Sequence, residues 1–165
     1  MSTERPGLSH LDPDGRARMV DVGEKPITHR RAVAEALVRV SPALAEAIRS
    51  NTLKKGDLLA VARLAGIQAA KRTDELIPLC HSLPLEHVDV EATLEDAPSG
   101  RRVRLVASAS TTAKTGIEME ALTAAAIAAL TVIDMGKAVD KGMVVEGLRL
   151  LEKTGGRSGD WKATP

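Results

Sequence analysis

Cys80 and His81 stand side by side in Leu76-Ile-Pro-Leu-Cys-His-Ser-Leu-Pro-Leu85, an apolar run that holds the chain's single cysteine and one of its four histidines. As a metal site the pair lacks company. Zinc needs three or four ligands, and the chain contains no Cys-x-x-Cys and no His-x-x-x-His. Neighbours in an extended segment point to opposite sides, so His81 is badly placed as a base for Cys80, although a distant base stays open. Cys80 then reads as a small buried hydrophobe. His81 reads as a side chain turned into a cleft whose wall is stiffened by Pro78 and Pro84.

Charged residues supply the other candidates. In Lys114-Thr-Gly-Ile-Glu-Met-Glu-Ala-Leu122, Thr115 and Glu118 match a capping box, which gives Glu118 a structural reason to be there. Glu120 has none so plain, and the two carboxylates point to nearly opposite faces of a regular helix. Lys114 precedes the helix start, where an anion is favoured. Asp134, Lys137 and Lys141 follow at helical spacing on one face. An exposed ion pair is the ordinary explanation, but Asp134 ends the apolar stretch Ala124–Ile133. An amine and a carboxylate held together in a cleft can become acid and base near neutral pH. Lys54 and Lys55 sit ahead of another helix start, and Lys153 opens a glycine-rich tail whose amides could form an anion nest. Walker spacing is absent, and Lys-Thr-Gly without Ser-x-x-Lys excludes a serine β-lactamase reading. Together the lysines suggest a polyanionic small molecule.

The elements that must position these groups follow from periodicity. Residues 1–18 have none and read as a flexible arm, leaving 19–161 as one domain. Alternation from Thr28 to Val40 predicts a strand, although its alanines would also tolerate a helix. Ser41-Pro42 caps a short helix over 43–50, and Asp57 caps a second over 58–72. Val88–Leu94 and Val103–Ala109 alternate around Pro98-Ser99-Gly100, a hairpin. A long helix is predicted from 116 to 141, stopped by Gly142, and a last strand over 144–151. The order strand, helix, strand, strand, helix, strand predicts a ferredoxin-like split βαβ arrangement, an α+β fold with helices on one face of an antiparallel sheet. The other face needs a cover, and a second subunit is the economical one.

Composition narrows the classes. The 165 residues are 44% apolar and 27% charged with a net charge of +1, which suits one soluble globular domain and offers no bulk field for nucleic acid. One Trp and no Tyr or Phe leave no stacking platform for single strands. One cysteine forms no internal disulfide and suits a reducing cytoplasm. The N-terminus has no apolar signal region, and the weakly polar run 121–133 is too short to span a bilayer.

The sequence resembles the cyclic pyranopterin monophosphate synthase family, accessory protein C (MoaC) of molybdenum cofactor biosynthesis. The likeness rests on Met19-Val-Asp-Val22, Lys55-Gly-Asp57, Leu76-Ile-Pro-Leu-Cys-His81, Lys114-Thr-Gly-Ile-Glu-Met-Glu-Ala-Leu-Thr123, Asp134-Met135, Lys137-Ala-Val139 and Lys153-Thr-Gly-Gly156, in family order over nearly the whole chain. The resemblance implies a ferredoxin-like subunit in a homohexamer, a trimer of dimers with interface active sites. It implies conversion of 3′,8-cyclo-7,8-dihydroguanosine 5′-triphosphate into cyclic pyranopterin monophosphate and diphosphate. The step follows a radical-SAM GTP 3′,8-cyclase and implies no metal or organic cofactor.

Carried over by position, Asp134 is the catalytic aspartate, with Lys137 and Lys55 as active-site lysines. Leu79, Cys80, His81, Met119 and Glu120 fall on substrate-binding segments, and Asp21, Lys25, Arg30, Glu118 and Lys153 line the pocket. Lys55 and Lys137 are assigned to acid/base work, with Asp134 tuning Lys137; Lys153, Arg30 and Lys25 would hold phosphate. Ser82, Ala113, Ile133, Gly136 and Arg157 depart from the family's commonest letters. A non-catalytic oligomeric binding module of the same fold and a metal-dependent hydrolase using His81 are the competing classes.

Overall fold

β1 (Thr28–Val40) is the strand around which the sheet is built. Its even-numbered residues from Ala32 to Val40 are buried on one face, as a half-covered strand requires. The computed structural model describes residues 15–98 and 100–164, so most of the arm expected at 1–18 lies outside the described residues. After β1, Ser41 accepts from the Leu44 amide at 3.2 Å and opens α1 (Pro42–Arg49). Asp57 accepts from the Ala60 amide at 3.0 Å and opens α2 (Leu58–Ala70); both caps follow the sequence reading. A single turn, α3 (Thr73–Leu76), leads to the hairpin of β2 (His87–Ala97) and β3 (Gly100–Ala113). α4 (Glu118–Gly136), β4 (Val144–Thr154) and a two-residue β5 (Trp161–Lys162) complete the chain.

All pairings are antiparallel, in the order β2-β3-β1-β4-β5. Without β5 this is the split βαβ order, and α2 and α4 lie together on one face. The hairpin strands outrun the expected spans because pairing continues through charged residues. Arg102 and Glu95 are 3.1 Å apart and Arg101 and Asp96 3.2 Å apart across the ladder. β5 carried no periodic signal; it exists because Trp161 and Lys162 pair with Lys153 and Glu152.

Two local expectations fail. The long helix ends at Gly136 rather than near Lys141. There the chain turns, with the Gly136 carbonyl accepting from Val139 and Asp140 at 2.9 and 3.0 Å, and a Cβ on Gly136 would lie 2.7 Å from Leu44 Cδ2. Lys141 therefore leaves the helix face it was expected to share. The Thr115–Glu118 capping box does not form either: Ile117 occupies the cap position without a side-chain bond.

α4 has the length and hydropathy of a membrane span. Its Ala121, Ala124, Ala128 and Val132 nevertheless pack inside the domain, the position of a core helix. The sheet's other face is lined by ion pairs. Glu35, only 4% exposed, accepts from Arg104 at 3.0 Å and Arg149 at 2.8 Å, and Arg39 meets Glu146 at 2.8 Å. Burial opposes ionisation of Glu35, but the two arginines outweigh it and hold its carboxyl below the ordinary range.

α2 and α4 touch through small residues. A Cβ on Gly66 would stand 2.8 Å from the Ala124 carbonyl oxygen and 3.2 Å from Ala128 Cβ. Gly66→Val should lower unfolding free energy by about 1–3 kcal/mol through overpacking. Gly147→Val, where nothing lies within 4 Å, should stay within about 0.5 kcal/mol of the parent; urea unfolding of both variants checks the contrast.

Candidate functional site

One group of charges gathers at the C-terminal end of α4. Gly56, with φ +90°, turns the chain into α2 and leaves Lys55 free to reach across. Its Nζ donates to Asp134 Oδ2 at 2.6 Å and to the Asp134 carbonyl at 3.0 Å. The second bond satisfies one of the carbonyls a helix end leaves unpaired. Lys137 Nζ lies 2.7 Å from Asp134 Oδ1. Asp134 is exposed, and hydrogen bonds from Lys137 and then Lys55 pull its carboxyl down to about 2. It stays ionised throughout the neutral range and holds two ammonium groups side by side.

The second group surrounds the N-terminal end of α4. Leu79, Cys80, His81, Glu118, Met119, Glu120 and Lys25 line a cavity of about 480 Å³. Cys80 and His81 share that cavity, contrary to the expected division, because the segment turns where the Cys80 amide donates to the Ile77 carbonyl at 3.0 Å. His81 donates from Nε2 to the Val20 carbonyl at 2.9 Å. Ser82 bonds the Asp74 carboxylate, and the buried Thr111 hydroxyl donates to the Pro84 carbonyl at 2.6 Å, so both ends of the wall are tied down. Burial, with Glu120 and Asp74 nearby, pushes the Cys80 thiol up, which removes it as a nucleophile at neutral pH.

Glu120 is 4% exposed. Burial, assisted by the charges of Glu118 and Asp74 and opposed by its own backbone amide, raises its carboxyl to about 7. A group so placed can give or take a proton near neutrality. Position in the sequence assigned Glu120 to binding; its surroundings make it the stronger acid/base candidate of the two carboxylates just discussed. Glu118 folds back over Gly116, where a Cβ would collide with its carboxylate at 1.9 Å, and comes 3.9 Å from Lys153 Nζ.

A neighbouring cavity of about 750 Å³ is lined by Asp21, Lys25, Arg30, Lys114, Gly156 and Arg157 among others. It shares Lys25, Thr115, Gly116 and Arg157 with the first. Arg30 donates to the Ala113 and Lys114 carbonyls at 3.1 and 3.3 Å. Gly156 must be glycine there, since φ is +77° and a Cβ would stand 2.3 Å from Arg30. Lys153 donates to Ser158. The expected anion nest is partly filled by the chain itself, because the Gly155 amide donates to Asp160 at 3.0 Å. Arg157 and Lys114 strengthen the cationic lining, although only the latter carried a positional signal, next to a helix start.

The chain thus brings its predicted site residues together as two groups and does not join them. Glu118 and Asp134 are sixteen residues apart on one helix, a rise of about 24 Å. Among the described residues, no three of His, Cys, Asp and Glu gather as metal ligands.

Fold and cleft define a class: an α+β chain of ferredoxin-like topology with a cavity whose charged lining includes Lys25, Arg30, Lys114 and Arg157. The chain belongs to the MoaC family, whose model matches residues 19–156. It is 57% identical over 155 residues to a cyclic pyranopterin monophosphate synthase of Chloroflexus aggregans, covering 94% of this chain and 93% of that one. A protein of the same name from Thermomicrobium roseum is 55% identical, covering 94% and 92%.

Glu120 makes stability depend on pH. Its carboxyl is raised from an ordinary 4.5 to about 7, so the folded chain holds a proton that the unfolded chain releases in that window. The contribution is complete below pH 4.5 and is lost as pH rises through about 7. Urea unfolding between pH 5 and 8 should show the parent losing stability relative to Glu120→Gln as pH rises; parallel curves would mean the carboxyl titrates normally.

Proposed function

We propose that this chain is a cyclic pyranopterin monophosphate synthase of molybdenum cofactor biosynthesis. Acting as a lyase, it converts 3′,8-cyclo-7,8-dihydroguanosine 5′-triphosphate into cyclic pyranopterin monophosphate and diphosphate. The reading is supported by family membership joined to one geometric observation: the charged residues expected for the reaction form two groups, one able to hold a triphosphate and a purine, the other presenting paired ammonium groups. Lys153, Arg30, Lys25, Lys114 and Arg157 neutralise phosphate charge. Leu79, Cys80, His81, Glu118, Met119 and Glu120 form the wall against the base. Closing the cyclic phosphate needs a ribose hydroxyl to attack the α-phosphorus while the bond to diphosphate breaks. The hydroxyl proton passes to a base, and the developing charge on diphosphate meets lysines. Lys55 and Lys137, fixed by Asp134, take the proton-transfer roles, and Glu120 is a further carrier.

Because the two groups stand at opposite ends of α4, a complete site draws them from two subunits. A homohexamer, a trimer of dimers with sites between subunits, accommodates this. The substrate is supplied by a radical-SAM GTP 3′,8-cyclase, and both steps belong to the cytoplasm.

Purified protein given the cyclic nucleotide should release diphosphate and the pterin, and Lys137→Ala should lose about 10²–10⁴ of the turnover. Tight binding without turnover by the parent would instead make this a binding module. Mixing Lys137→Ala with Lys153→Ala, unfolding and refolding together, should restore about a quarter of parental activity if each site takes one group from each of two symmetric subunits. No recovery from correctly assembled protein would return the site to a single chain.

A further inference from the structure

Gly156, Arg157 and Ser158, which line the larger cavity, form the tip of the loop that joins β4 to β5. Three glycines of that loop have positive φ: Gly155 at +84°, Gly156 at +77° and Gly159 at +69°. Glycine loses more conformational freedom on ordering than any other residue, so a loop of this composition holds a side chain in place only where something fastens it. The strand that follows gives little help, being two residues long. Arg157 has the greatest need of a fixed support. It lines both cavities and has no hydrogen bond or ion pair among the described residues, whereas Arg30 and Lys114 already donate to backbone carbonyls. Its place is set by the turn on which it stands.

Asp160 is the fastening. Its Oδ1 accepts from the Gly155 amide at 3.0 Å, which ties the last residue of the loop to the first. Inside that clasp the Gly159 amide donates to the Gly156 carbonyl at 3.1 Å, closing a β-turn with Arg157 and Ser158 at its two central positions. The clasped loop lies tight against the start of β1, where a Cβ on Gly155 would stand 2.2 Å from the His29 carbonyl oxygen. We propose that Asp160 is a positioning residue for the synthase reaction: by holding the Gly155 amide, its carboxylate oxygen keeps Arg157 turned to the substrate's phosphates where the two cavities meet. Asp160 also brings a cost, because a carboxylate beside a polyanion repels it. Its hydrogen bond and its charge therefore act in opposite directions, and substitution separates them. This role rests on the synthase reading for its substrate; the loop itself is tested with inorganic tripolyphosphate and no turnover.

Calorimetric titration of the parent with tripolyphosphate should show saturable binding. Asp160→Ala, which loses acceptor and charge together, should weaken it about three- to tenfold. Asp160→Asn, which keeps an oxygen there without the charge, should bind at least as tightly as the parent. In an Arg157→Ala background, Asp160→Ala should change affinity by less than about twofold, whereas a merely structural role would weaken binding in both backgrounds. Trp161, the chain's one tryptophan, adjoins Asp160 in β5, and its emission reports whether the tail stays paired. Should Asp160→Ala shift that emission, Asp160→Glu takes its place with the same expected loss, since it keeps the charge but displaces the oxygen by one methylene. The proposal is overturned by absence of binding to the parent, by Asp160→Ala binding as tightly as the parent or more so, by Asp160→Asn losing as much as Asp160→Ala, or by equal losses in both backgrounds. Turnover of the cyclic nucleotide with affinity unmoved in Asp160→Ala would keep the synthase and sink the positioning role. No turnover, with the Asp160 and Arg157 effects intact, would do the reverse.

Discussion

A core made of alanine leaves backbones no room to stand apart. Ala32, Ala34 and Ala36 of the central strand meet Ala107, Ala109, Ala121, Ala124 and Ala128, all buried, and the chain offers no Phe or Tyr to fill wider gaps. Native packing density with such short side chains demands close approach of the backbones, which Gly66 completes between α2 and α4. α4 is therefore pressed closely against its neighbours. Everything at one of its ends is kept about 24 Å from what stands at the other. Lys137 and His81 therefore stand by opposite ends of the helix within one chain.

The same helix carries two carboxylates in opposite electrical conditions. Asp134 lies in solvent between two ammonium groups and is held near 2, whereas Glu120 lies in the core among other acids and is raised to about 7. The difference follows from position along the helix: the exposed end gathers lysines, and the buried end withholds solvent from a carboxyl.

The cavity walls depend on contacts that tolerate no bulk. Gly116 makes room for the Glu118 carboxylate to fold back, and Gly156 makes room for the Arg30 guanidinium. Ser82 and Thr111 tie the His81 segment at both ends. The Ser82 hydroxyl has its partner in the Asp74 carboxylate, which fastens the loop there. Gly136 lets the end of α4 press on Leu44.

Periodicity and capping residues by themselves determined the element order, the faces of β1, both capped helices and the hairpin. These signals are local: alternation, an Asp or Ser before a helix, Pro and Gly at a turn. The lysines, carboxylates and the His81 segment were legible by type and by order along the chain. Tertiary structure decided the rest, because it depends on partners far away in sequence. It ended α4 at Gly136 against Leu44, gave β5 its pairing with β4, replaced the Thr115–Glu118 box by a carboxylate folded over Gly116, and put Cys80 and His81 in one cavity. It also decided that Asp134 stays charged while Glu120 nears neutrality, since burial and neighbouring charge are properties of the folded surroundings and not of the residue. The division of the site into two groups belongs to the fold as well: the sequence lists Glu118 and Asp134 along one apolar stretch, and only a rigid helix turns that interval into a distance.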